Sequence, residues 1–119
     1  MAEKNKLAED LVKEITERID KNAEKTKGWG KAIRLMFTDI DVAYWIKLSM
    51  NGTVEAVEKT SPNLLQTKEA VATLSMSTDT LQGLLNGSIS PVAAFLKGSI
   101  KIQGSIDTLM KLALAFGAA

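Results

Sequence analysis

Apolar residues recur at helical spacing through the first stretch of the chain: Leu7, Leu11, Ile15 and Ile19 stand four apart, with Ala8 and Val12 beside them. That spacing draws one stripe along an amphipathic helix. The intervening positions are charged, and Glu9 with Lys13, Glu14 with Arg18 and Glu17 with Lys21 sit at i,i+4, where opposite charges add a few tenths of a kcal/mol each. This face reads as a solvated one. The helix is expected to stop near Gly28-Trp29-Gly30.

Beyond Gly30 the period changes to two. Ile33, Leu35 and Phe37 alternate with Arg34, Met36 and Thr38, and then Val42, Tyr44, Ile46, Leu48 and Met50 alternate in turn, predicting two strands. Asn51-Gly52 follows, with Thr53 to Lys59 continuing as a third strand. Asn and Gly both accept positive φ, so the pair predicts a two-residue type I′ hairpin. In that register Ile46 faces Val57, Trp45 faces Glu58 and Leu48 faces Glu55. Neither face is then wholly apolar, which fits either a sheet covered on one face along part of its length or a bulge that shifts the pattern.

Ser61-Pro62-Asn63 marks a loop, and Ala70 to Met76 alternates as a fourth strand. Two short helices follow. One opens at Ser77 or Thr78, carries Asp79 in its first turn, buries Leu81, Leu84 and Leu85, and closes at Asn86-Gly87. The other has Ser90 as N-cap, Pro91 at its first position, Phe95 and Leu96 inside, and Gly98 as terminator. Ser99 to Ile106 alternates as the last strand, and Asp107 caps a terminal helix from Thr108 to Phe116. That helix has Lys111 as its one charge, so it needs more apolar company than one face of a small domain provides. The order of elements predicts an α+β domain over residues 1–119, with a five-stranded, mainly antiparallel sheet flanked by helices.

Composition narrows the chemistry. The 119 residues include no His and no Cys, which removes the usual ligands of zinc, haem and iron–sulfur sites and every Ser-His-Asp or Cys-His catalytic set. Lys+Arg 15 against Asp+Glu 14 gives a formal net charge of +1, with no basic field for a phosphate backbone, so no nucleic-acid partner is expected. The charged opening MAEKNKLAED does not have the apolar core of a signal peptide, there is no cysteine framework, and no apolar run nears the roughly 20 residues of a membrane span. A cytoplasmic location is the expectation.

The remaining candidates have plainer readings. Asp39-Ile40-Asp41 offers two carboxylates to a hard cation or to acid–base work, but lies between strand patterns, where Asp is a turn residue. Gly28-Trp29-Gly30-Lys31 lacks the spacing of a phosphate loop. Asn51-Gly52-Thr53 and Asn86-Gly87-Ser88 fit the glycosylation sequon, but turn and helix-end chemistry accounts for both. No base stands ready to activate a Ser or Thr, so no enzyme activity, metal or cofactor is expected. Met36, Met50, Met76 and Met110 fall on predicted apolar faces, as core filler or as an adaptable lining for apolar ligands.

The run DTLQGLLNGSISPVAAFLKGSIKIQG, from Asp79 to Gly104, resembles the signature of the sterol carrier protein two family of lipid-transfer domains. The shared features are an acidic residue opening a Leu-rich helix, Gly87, Pro91, the Ala94-Phe95 pair, Gly98 and the Ile100-x-Ile102-x-Gly104 strand. The resemblance implies an apolar tunnel between sheet and helices that takes fatty acids, fatty acyl-CoA, phospholipids or sterol-like molecules, carried without covalent chemistry. On that basis the ligand-binding residues are Leu84, Leu85 and Phe95 from the short helices, Ile102 from the last strand, and Leu109, Met110, Leu112 and Phe116 from the terminal helix. The expected partner is a lipid or fatty acyl ligand, with a transient membrane-surface contact and a monomer or weak dimer in solution. Relatives in eukaryotes end in a tripeptide resembling SKL; this chain ends Gly117-Ala118-Ala119, so peroxisomal import is not indicated. The competing readings are an interaction or dimerisation module built on the apolar C-terminal helix, and an accessory domain separated from its enzyme.

Overall fold

The computed structural model of the chain describes residues 2–60, 69–104, 107, 110 and 111. The charged amphipathic stretch forms α1 (Ala2–Lys21), followed by a single turn, α2 (Ala23–Thr26), that ends before Gly28. Ala8, Leu11, Val12, Ile15 and Ile19 are all buried, as the four-residue spacing predicts. Burying each of the larger ones contributes roughly 1.5–3 kcal/mol of transfer free energy. Of the expected i,i+4 pairs, Glu14 meets Arg18 at 3.2 Å, whereas Glu9 turns to Lys59 across the fold at 3.5 Å.

The strands are β1 (Ala32–Phe37), β2 (Val42–Leu48), β3 (Val54–Thr60), β4 (Ala72–Met76) and β5 (Lys101–Gly104), with α3 (Thr78–Asn86) and α4 (Pro91–Lys97) between the last two. They form one sheet in the order β3-β2-β1-β4-β5. It is a mixed sheet: β1 and β4 run parallel at its centre, and the other neighbours are antiparallel. Hairpin logic sees only sequential neighbours, whereas the chain after β3 crosses to the far side of β1, and a crossover of that kind returns a parallel strand.

Alternation divides the sheet into two faces. Ile33, Leu35, Phe37, Tyr44, Ile46, Leu48, Leu74 and Met76 share one face and form a common core with α1, α3 and Ala94 of α4. The rings of Phe37 and Tyr44 meet edge to face, 5.9 Å between centroids. Arg34, Met36, Trp45, Lys47, Thr73 and Ser75 occupy the opposite face and are half-buried.

Three local expectations change. The β2–β3 connection has five residues, Ser49 to Thr53, and Ser49 N–H donates to the Thr53 carbonyl across it at 2.8 Å. Gly52 has φ +92°, while Asn51 is not in the left-handed region. The reason is tertiary: the Thr26 hydroxyl donates to the Gly52 carbonyl at 2.7 Å, and a Cβ on Gly52 would collide with the Ala23 carbonyl. The register predicted for Ala43 to Lys47 is present, but a shift between Lys47 and Leu48 sets Leu48 opposite Val54 instead of Glu55. The bulge keeps an apolar partner over the core. Finally, α4 turns Ala94 inward, not Leu96, which is 77% exposed, and Phe95 is half-buried. A seven-residue helix lying on a full core has room for one small side chain.

The caps follow the sequence. Ser77 accepts from Thr80 N–H and Ser90 from Ala93 N–H, while Gly87 (φ +84°) and Gly98 (φ +81°) close α3 and α4. Asp107, Met110 and Lys111 are helical, which places Asp107 inside that helix and not at its cap.

Candidate functional site

A cleft of about 740 Å³ opens on the outer sheet face, lined by Gly30, Lys31, Ala32, Arg34, Trp45, Lys47, Glu69, Ala70 and Val71. β1 and β2 position its floor, since Arg34 pairs with Trp45 and Ala32 with Lys47 across the ladder. Its wall is set by backbone contacts: Val71 N–H donates to the Ala32 carbonyl at 2.9 Å, and the Trp45 indole N–H donates to the Glu69 carbonyl at 3.0 Å. Lys47 is held by the carbonyls of Gly30 (2.9 Å) and Leu48 (3.1 Å), with Glu55 at 3.9 Å. Gly30 has φ +53° and admits the Met50 side chain where a Cβ would stand. Met50 therefore belongs to the hairpin loop, 65% exposed, and not to an apolar strand face.

A second cavity, about 380 Å³, lies where α1, the end of α3 and the start of α4 meet, lined by Arg18, Leu84, Leu85, Asn86, Gly87, Ile89, Ser90 and Pro91. Arg18 donates to the Leu85 carbonyl at 2.7 Å, satisfying one of the open carbonyls at the end of α3.

Of the residues predicted to line a tunnel, five lie among the described residues, and Leu84, Leu85 and Ile102 of these meet in one core cluster. Leu84 and Leu85 are packed in the core and border the smaller cavity. Ile102 packs against the same core from the edge strand, Phe95 is half-buried, and Met110 is 56% exposed. Leu109, Leu112 and Phe116 lie outside the described residues. The outer cleft was not legible in advance. Its one sequence signal is Trp45, a large aromatic out of phase with the core; the pairing of Trp45 with Arg34 emerges only with the register.

Asp39 lies in the turn between β1 and β2, as its sequence position suggests, and reaches across to α3. Its carboxylate accepts from Thr78 N–H (3.1 Å) and from the Thr78 hydroxyl (2.5 Å), with Lys4 at 3.3 Å. Burial pushes this carboxyl up, but the hydrogen bonds from Thr78, together with Lys4, outweigh it and hold its pKa below the ordinary 3.8. A carboxylate so fully engaged is a structural clamp. Asp41 is exposed with φ +53°, a conformation Asp tolerates in turns. Tyr44 is buried in the core; its hydroxyl has no hydrogen-bond partner among the described residues, and burial, followed by the charge of Glu9, raises its pKa above 10.0. Among the described residues there is no cluster able to hold a metal ion.

A family model described as the SCP-2 sterol transfer family matches residues 12–117. No curated protein matches the chain significantly. Among solved structures, a crystal structure of sterol carrier protein 2 superposes with a TM-score of 0.66 at 17% identity, covering 89% of this chain and 87% of that one. Palmitated SCP2L2 from Aedes aegypti superposes with a TM-score of 0.55 at 14% identity, covering 88% and 93%. The stereoselective inverting sec-alkylsulfatase Pisa1 from Pseudomonas sp. gives 0.63 at 21% identity over 81% of this chain, which spans only 14% of that enzyme.

Proposed function

Because the chain belongs to the SCP-2 sterol transfer family, we propose that it is a non-catalytic carrier that takes up a fatty acid, fatty acyl-CoA, phospholipid or sterol-like molecule and releases it unchanged. The match of that family along residues 12–117 carries this reading. The outer cleft supports it as the place of binding. Its volume falls within the roughly 300–1,000 Å³ of small-molecule sites. Trp45, Ala32, Ala70 and Val71 offer apolar surface, extended by the aliphatic stems of Lys31, Arg34 and Lys47. Lys47 is paired with Glu55, and Lys31 and Arg34 border the cleft with Glu69, so the charges around it sum to about +1 and suit a hydrocarbon bearing a carboxylate or phosphate better than a neutral one. Burial contributes roughly 0.8 kcal/mol per CH₂ before ordering costs.

A second location has its own support in the smaller cavity beside Leu84 and Leu85. A ligand there would meet Leu84, Leu85, Ile89 and Pro91, and the family resemblance extends its lining to Phe95, Ile102, Leu109, Met110, Leu112 and Phe116. Palmitate titration of the purified chain, read by native mass spectrometry, distinguishes the two. Trp45→Ala should weaken binding about tenfold or more, a loss of about 1.4 kcal/mol, if the outer cleft is the site; Met110→Arg and Leu112→Asp should do so if the helical lining is. Palmitic acid methyl ester should bind more weakly than palmitate. A chain that carries no lipid and refuses palmitate, palmitoyl-CoA and phosphatidylcholine is not a carrier. Concentration-dependent sedimentation would then favour the interaction module.

A further inference from the structure

The chain holds two Asn-Gly pairs, Asn51-Gly52 and Asn86-Gly87, and the fold treats them differently. In such a pair the backbone nitrogen that follows Asn can reach the side-chain carbonyl carbon, because Gly has no Cβ to obstruct the approach. At Gly52 that nitrogen is tied down. Its N–H donates to the Ser49 carbonyl at 3.0 Å and the Gly52 carbonyl accepts from the Thr26 hydroxyl at 2.7 Å. The residue is buried, with the Ala23 carbonyl and the Lys27 backbone nitrogen standing where a Cβ would come.

At the end of α3 both Asn86 and Gly87 are exposed, and nothing lies within 4 Å of a Cβ placed on Gly87. The Gly83 carbonyl, which an α-helix offers to the Gly87 N–H, also accepts from Ile89 N–H at 3.0 Å and from the Ser88 hydroxyl at 3.4 Å. That sharing loosens the last turn, where helices fray. The Asn86 side chain is meanwhile held, its Oδ1 accepting from Ser88 N–H at 2.9 Å. An Asx turn of this kind folds the carboxamide back over the intervening peptide, which brings the Asn86 Cγ toward the Gly87 nitrogen. The same N–H is aimed at the oxygen on which charge develops when that nitrogen attacks.

We propose that Asn86-Gly87 is a site of spontaneous deamidation, with the Gly87 nitrogen as nucleophile and Ser88 N–H as oxyanion donor, while the fold protects Asn51-Gly52. The Gly87 nitrogen gives its proton to hydroxide and bonds to the Asn86 Cγ. The tetrahedral adduct then expels Nδ2, which takes a proton from water and leaves as ammonia, and a cyclic succinimide remains. Water opens that ring at either carbonyl, giving aspartate or isoaspartate at this position. One water is consumed and one ammonia released, with no change of oxidation state. A carboxylate now stands where the amide stood, so the net charge falls by one from +1. The new charge lies on the lining of the smaller cavity, whose one charged residue is Arg18, and at the negative end of the α3 dipole. The reaction needs no ligand and stands apart from the carrier reading.

The test is peptide mapping by mass spectrometry of the full chain held in mildly alkaline buffer, folded and in urea, with ion exchange to follow the acidic species. In the folded chain Asn86 should convert about tenfold or more faster than Asn51, because reaction at Asn51 must wait for local opening. The two rates should converge in urea. Ser88→Pro removes the N–H and should slow Asn86 about tenfold or more in the folded chain, while leaving its rate in urea in place. Asn86→Gln should abolish the first acidic species. Asn51 converting as fast as Asn86 in the folded chain would overturn the proposal, as would a folded chain in which neither site reacts while both react in urea. An Asn86 rate indifferent to a folded Ser88→Pro would overturn it too. If that variant does not fold, the ratio of the two sites in the unaltered chain decides alone.

Discussion

Asp39 is the residue on which the turn between β1 and β2 and the start of α3 depend together. Thr78 is fully buried, and an amide in place of the carboxylate keeps one acceptor oxygen for its two donors, puts an NH2 where the other oxygen stood and removes the charge that Lys4 meets. Asp39→Asn should cost about 2 kcal/mol at neutral pH by urea unfolding. The sign of the pH dependence follows from the depressed carboxyl. In the folded chain Asp39 stays ionised below its unfolded pKa, so its contribution is complete above about 3.8 and is lost as pH falls through the lower folded value. The stability gap between the unaltered chain and Asp39→Asn should therefore narrow in acid. A gap that stays constant with pH would show that the clamp does not depend on the charge.

At the level of elements, the β2–β3 hairpin and α2 determine each other. Asn51-Gly52 marked the turn in the sequence, but its form was set by the approach of Ala23 and the bond from Thr26, which leave a positive φ at Gly52 and room for no side chain. Gly52→Ala should cost more than about 1 kcal/mol, since both the backbone conformation and the space are incompatible with a Cβ; Gly87→Ala, where a Cβ meets nothing within 4 Å, suffers the conformational part alone. Thermal unfolding of the two variants separates strain from collision. The same elements show why α4 was misjudged: the sequence gives two large apolar neighbours, Phe95 and Leu96, while the space beneath the helix accepts Ala94.

For the whole molecule, the carrier reading makes stability a report of loading. A ligand that binds only the folded chain stabilises it by about 2.7 kcal/mol when present at about a hundred times its Kd. For a domain of this length that corresponds to a rise in Tm of roughly 10 °C. Palmitate or palmitoyl-CoA should produce such a shift in scanning calorimetry, and Trp45→Ala should reduce it. An unchanged Tm at saturating palmitate would mean that the cleft does not take the acyl chain. No helix among the described residues is long and apolar enough to cross a membrane.

The sequence alone determined whatever is decided within about ten residues. The four-residue stripe of α1, the alternation of β1, β2 and β4, the serine N-caps and the glycine stops of α3 and α4 all lie where local periodicity and backbone preference place them. The same scale excluded imidazole and thiol chemistry and carried the family signature. Tertiary structure decided what depends on distant partners: the parallel pairing of β1 with β4, the bulge that gives Leu48 an apolar neighbour, and the turn at Gly52. It also formed the outer cleft. Arg34, Trp45, Lys47 and Glu69 are polar or isolated in sequence, and become one cleft because three segments far apart along the chain share a sheet face. A period-two pattern tells which residues leave the core, but not what they meet outside it.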